Sequence, residues 1–167
     1  MTQVILTIIF LFSVSMTDLK LNKVKNKHLL IFMGVAFISN TLMMGLEGIE
    51  IASYGFLMPL IIGYPLFLLG LIPAGDVKLF MALGSMIGIK AIGQLLMITL
   101  LLSSIYSILL LIKRKDFSGF FSFYDYLKEI IYTKKITPYD SEKSIRFPLA
   151  PVIFISYLLF IFPFNML

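Results

Sequence analysis

Apolar runs long enough to cross a lipid bilayer constrain this chain more than any other feature. A crossing needs about 20 apolar residues, and somewhat fewer where neighbouring helices or a thinner bilayer help. Six stretches qualify: Val4 to Met16, Leu29 to Met44, Ile51 to Ile72, Val77 to Ile89, Ala91 to Ile112 and Phe147 to Leu167. The fourth is short. The expected fold is all-α, a single polytopic membrane domain over residues 1–167 with about six transmembrane helices. Composition agrees, since 59% of the residues are apolar and 14% charged, with a mean hydropathy of +0.99. A soluble domain carries nearer a quarter charged residues, so lipid is the main solvent here and a disordered tail is excluded.

The polar residues exclude several kinds of chemistry. There is no cysteine and one histidine, His28, which removes disulfides, zinc fingers, iron–sulfur ligation and cysteine nucleophiles. No metal and no organic cofactor is expected. The net charge of +5 would suggest nucleic acid in a soluble protein, but in a membrane chain its placement sets orientation instead. Lys20, Lys23, Lys25 and Lys27 fill the first connection, whereas Gly45 to Glu50 carries Glu47 and Glu50 and no base. Positive-inside counting puts the first connection in the cytoplasm and the N-terminus outside. Lys78 and the eight bases between Lys113 and Arg146 then fall inside too, leaving Lys90 as the exception among 14. The expected location is the cell (inner) membrane, with the active site facing the cytoplasm.

Two segments have competing readings. Ser13-Val14-Ser15 after an apolar run resembles a signal-peptide cleavage site, but the lysines follow that run rather than precede it, so the segment is expected to stay attached. Residues 113–146 form a cytoplasmic loop dense in aromatics between Phe117 and Tyr132. There Ser122, three residues before Asp125, is placed to cap an interfacial amphipathic helix running toward Lys134.

Seven of the nine acidic residues lie in loops; Asp18 and Asp76 directly abut apolar spans. At about 1.5 Å per helical residue, Asp18 falls near the inner end of the first span and Asp76 at the inner end of the third. Lysine counting thus puts both carboxylates at one face and at similar depth. A carboxylate at a membrane boundary is costly to desolvate and is a functional candidate by default. The alternatives are plain: Asp76 as an N-cap after Gly75, Asp18 as a solvated residue opening a loop. A pair of carboxylates sharing a proton holds a water between them, one taking its proton while the other protonates a peptide carbonyl. Such a pair titrates as a unit. A helix N-terminus at Asp76 and a C-terminus at Asp18 would make Asp76 the initial base.

Three segments carry a family resemblance. Pro73-Ala74-Gly75-Asp76-Val77-Lys78-Leu79, followed by Ala82-Leu83-Gly84, resembles the GxGD segment of the type IV prepilin peptidases. Asp18-Leu19-Lys20 leading to Val24-Lys25-Asn26 is similar to that family's first aspartate and its Ile-Pro-Asn stretch. Arg146-Phe147-Pro148-Leu149-Ala150-Pro151 resembles the segment opening the last helix. Pro73 and Lys25 depart from the usual glycine and proline, and Pro73 is expected to end the preceding helix, while Gly75 keeps backbone freedom beside Asp76. The connection from Lys20 to His28 is short and free of cysteine, so the likeness is to the peptidase-only branch, as in tight-adherence pilus systems or archaeal preflagellin peptidases, without N-methyltransferase activity.

The resemblance implies an aspartic endopeptidase with Asp18 and Asp76 catalytic. It would remove basic leaders from pilin-like or flagellin-like precursors at the cytoplasmic face. Membrane lipid is the other partner, and no nucleic acid is expected. Gly75, Lys78, Asn26 and Lys23 are secondary site candidates. Lys78 lies roughly 200° around a helix from Asp76 and reads first as a snorkelling anchor; His28 reads as interfacial. Gly34, Gly63, Gly70, Gly84 and Gly88 read as close helix contacts, with Gly84 and Gly88 a small-xxx-small pair, and Pro59 and Pro65 as breaks or kinks in the third span. The rival readings are a small transporter or proton-relay subunit and a noncatalytic scaffold. Neither the midplane ionisable residue nor the repeated halves common in transporters are visible.

Overall fold

The structure, a computed structural model, describes residues 2–21, 26–114, 118–133 and 149–162. They form six helices: α1 Thr2–Leu21, α2 Asn26–Met44, α3 Leu46–Leu68, α4 Ala74–Arg114, α5 Ser118–Thr133 and α6 Ala150–Ile161. Helices α1 to α4 are long and apolar enough to cross a membrane, and α6 is a shorter apolar helix. The protein is an all-α, multi-pass membrane protein. Leu11, Leu29, Leu83, Ile92 and Ile153 are fully or almost fully buried where α1, α2, α4 and α6 meet. Ile9, Leu30, Ile61 and Leu101 are exposed, as lipid-facing side chains are when acyl chains rather than water surround them.

The fourth and fifth apolar stretches form one helical run that reverses direction. Its hinge is Gly88, at φ 81° and ψ 171°, a conformation open essentially only to glycine. Pairing along α3 shows the reversal. Gly63 lies against Val77, Gly55 against Gly84 and Ile51 against Gly88, so the first arm (74–87) runs antiparallel to α3. Gly93 then lies against Met58, and the second arm (89–114) runs back alongside. Six apolar segments therefore exist, two of them joined by a single residue.

A stripe of small residues permits this packing. Gly48, Ala52, Gly55, Pro59 and Gly63 are all buried on one face of α3, and a Cβ on Gly55 or Gly84 would collide with the other's backbone carbonyl. Close backbone approach replaces the hydrophobic driving force that lipid cannot supply.

Reversal at Gly88 strands carbonyls at the end of the first arm, which hydrocarbon would leave unsatisfied. Asn40, buried in α2, resolves this. Its Nδ2 donates to the carbonyls of Ser85 at 2.9 Å and Met86 at 3.3 Å, while its Oδ1 accepts from Gln3 Nε2 at 2.9 Å.

Several sequence expectations are corrected. The acidic connection Gly45 to Glu50 shrinks to Gly45, because α3 starts at Leu46 and Gly48 packs on the backbone of Asn40 and Thr41. Helix α3 runs unbroken through Pro59 and Pro65. It ends at Gly70 rather than Pro73: Gly70 has φ 72°, its N–H donates to Phe67 O, and Leu71 N–H donates to Leu66 O. That pair of bonds is the Schellman termination, which favours a left-handed glycine. Gly70 is thus a cap and Gly34 touches nothing within 4 Å among the described residues, whereas Gly84 and Gly88 both lie against Gly55 as a small-xxx-small contact, Gly88 being the hinge as well. Helix α5 starts at Ser118, so Ser122 lies inside it and caps nothing. Phe117, Lys134 and, of the sixth stretch, residues 147–148 and 163–167 lie outside the described residues.

Candidate active site

Asp18 occupies the last turn of α1, where it is 6% exposed. Its Oδ2 accepts a hydrogen bond of 3.1 Å from the backbone N–H of Ala150. Ala150 is the first residue of α6, after an N-cap at Leu149 and before Pro151. The first amides of a helix have no acceptor within it, and Asp18 supplies one from 132 residues away in sequence. Antiparallel packing makes this possible, with Phe12 edge-on to Phe154 at a ring separation of 6.1 Å.

Asp76 is the third residue of α4. The Pro73 carbonyl accepts the N–H groups of Asp76 at 3.1 Å and Val77 at 3.5 Å, so the backbone turn is closed by Pro73. The Asp76 carboxylate makes no hydrogen bond among the described residues, and the simple N-cap reading is corrected. Val77, beside it, is buried against Gly63, which anchors the start of α4 to α3. The Asp18 and Asp76 carboxylates lie close enough for the charge of one to act on the other. The fold therefore brings both to one end of the bundle, opposite the end held by Asn40 and Gly88.

The dipole argument for Asp76 as initial base does not survive this geometry. Asp18 also faces a helix N-terminus, that of α6, so the expected asymmetry between the two carboxylates is absent.

The secondary candidates divide. Lys78 Nζ donates to Asn26 Oδ1 at 3.4 Å, tying the start of α2 to the start of α4 at the aspartate end. Gly75 sits within helix α4 without a positive φ, and a Cβ there would meet nothing within 4 Å. Backbone freedom is not what places glycine at this position; among the described residues there is room beside it for a side chain. Lys23 and Lys25 lie outside the described residues, as do Arg146 to Pro148. Ala150 was not a sequence candidate for the site. Its signal was Pro151, since proline near a helix start marks where free amides gather.

Two carboxylates at one bundle end, from α1 and α4, one held by Ala150 and one without a hydrogen bond among the described residues, are the groups there that could accept a proton from a water. A family model, the type IV leader peptidase family, matches residues 5–112, a span that includes Asp18, Asn26, Gly75, Asp76 and Lys78. Comparison with curated proteins and with solved structures gave no match. Matching well over half of its length, the chain belongs to the type IV leader peptidase family.

Proposed function

We propose that this protein is an aspartic endopeptidase that removes the basic leader from pilin-like or flagellin-like precursors at the cytoplasmic face of the inner membrane. Family membership supports a leader peptidase. The observation that carries the aspartic mechanism is the meeting of Asp18 and Asp76 at one bundle end, within reach of each other's charge.

In the reaction, one carboxylate takes a proton from a water while the other, protonated, gives its proton to the scissile carbonyl oxygen. The water oxygen bonds to the carbonyl carbon. Collapse of that tetrahedral species returns a proton to the leaving nitrogen and breaks the C–N bond. Like charges at close range cannot both ionise cheaply, so the pair readily holds the single proton this cycle needs.

Orientation follows from the basic residues. Lys20, Lys27, Lys78 and Lys113 stand at helix ends on the aspartate side, which the positive-inside rule assigns to the cytoplasm. A precursor's apolar helix lying beside the bundle would bring its leader junction to that level. The first connection is short and cysteine-free, so leader removal proceeds without N-methylation of the product.

The test is leader removal from a co-expressed precursor by wild type, Asp18→Asn and Asp76→Asn. Each substitution is isosteric and should lower cleavage by about 10³-fold or more while the protein still inserts and folds. Processing that persists in both variants rejects the mechanism, and proton flux without processing would point to a relay subunit instead.

A further inference from the structure

Buried hydroxyls in this bundle satisfy themselves in one way. Thr7 donates to the Gln3 carbonyl, Ser85 to Ala82, Thr99 to Leu95 and Ser156 to Val152, each bonding back one turn along its own helix. Ser15 does not. It is 6% exposed, yet its Oγ has no hydrogen-bond partner among the described residues. A buried donor is thereby left unspent.

Its register is informative. Ser15 stands three residues before Asp18 on α1, and residues so spaced are neighbours on one helix face. Thr17, the next hydroxyl along α1, is already committed to the Val14 carbonyl at 2.8 Å. Ala150 engages one Asp18 oxygen, Oδ2. A carboxylate held at a single oxygen still swivels about its Cβ–Cγ bond, whereas sharing one water with Asp76 requires the carboxyl plane to be fixed.

We propose that Ser15 is a positioning residue for Asp18. A rotation about its Cα–Cβ bond lets the hydroxyl donate to Oδ1, the oxygen Ala150 does not hold, and so lock the carboxyl plane toward Asp76. Packing alone would favour alanine here, since an unspent buried hydroxyl weakens a fold. The inference rests on the peptidase reading of the aspartate pair.

The full chain is assayed on a precursor that wild type cleaves, with Ser15→Ala, Ser15→Thr, Asp18→Asn and Asp76→Asn beside it. Ser15→Ala should lower kcat about tenfold with KM within about twofold, and melt at or above the wild-type temperature. Ser15→Thr, which keeps the hydroxyl, should restore most of the turnover. Infrared spectra of the reconstituted protein give a second reading that needs no precursor: the carboxyl band removed by Asp18→Asn should move in Ser15→Ala and return in Ser15→Thr. Wild-type turnover in Ser15→Ala, a band that stays in place, or a loss that threonine does not repair each overturns the proposal. Inactive aspartate variants beside a fully active Ser15→Ala would remove only the role of Ser15. Active aspartate variants would remove the peptidase reading and this role with it.

Discussion

The two ends of the bundle treat polar groups in opposite ways. At the Gly88 end, Asn40 uses both halves of its amide, against Gln3 on one side and the Ser85 and Met86 carbonyls on the other. Backbones there touch at Gly48 and, deeper in, at Gly55 and Gly84. At the aspartate end, among the described residues, Asp76 has no hydrogen bond, Ser15 Oγ has no partner, and Gly75 has nothing within 4 Å of where a Cβ would stand. One end closes its donors and acceptors against each other; the other, beside the Ala150–Asp18 and Lys78–Asn26 bonds, leaves Asp76 and Ser15 uncommitted among the described residues. In a membrane, where each unsatisfied polar group is expensive, such a contrast separates scaffold from working site better than polarity alone does.

That contrast can be broken by substitution. The largest effect belongs to Gly84→Leu or Gly55→Leu, which drives a side chain into a facing backbone. Loss of about 3 kcal/mol or more is expected, read as failure to recover folded protein in detergent; wild-type yield and melting would show that the helices are not in contact. Next comes Asn40→Leu, which strands two carbonyls and the Gln3 amide. It should cost about 2 kcal/mol, seen as a lower melting temperature, with leader cleavage per folded molecule kept. The smallest and opposite effect is at the aspartate end. Gly75→Ala places a methyl in open space on a helix, and stability should rise by about 0.5–1 kcal/mol. A fall comparable to that of a Gly55 or Gly84 variant would erase the distinction between the ends.

Much of this architecture was legible in the sequence, and the omissions share a cause. Apolar runs foretold a polytopic helical chain, and the spacing of Asp18 and Asp76 from those runs made them the candidates on which the proposed function rests. Hydropathy measures how apolar a segment is, though, and not what it packs against. Gly88 inside an apolar run looks like any helical glycine until α3 is known to lie on both sides of it. Asn40, between Ser39 and Thr41 in an otherwise apolar span, was a signal that was present and passed over. Conversely, Gly34 invited a reading as a contact and Gly75 as a point of backbone freedom, and the structure gives Gly34 no neighbour within 4 Å among the described residues and Gly75 no positive φ. Ala150 was hidden because its contribution is a backbone amide, which every residue but proline carries. Asp18 reaches it only after α1 and α6 have docked.

Convergence of Asp18 and Asp76 is tested most directly by proximity itself, and the absence of native cysteine makes the chain suited to it. An Asp18→Cys, Asp76→Cys double variant, treated in native membranes with a short bifunctional thiol reagent, should gain the mass of one bridging linker within a single chain, while each single variant gains only singly attached reagent. A double variant that takes up two separate reagents and never a bridge would contradict the pairing of the two aspartates and, with it, the shared water on which the proposed hydrolysis depends.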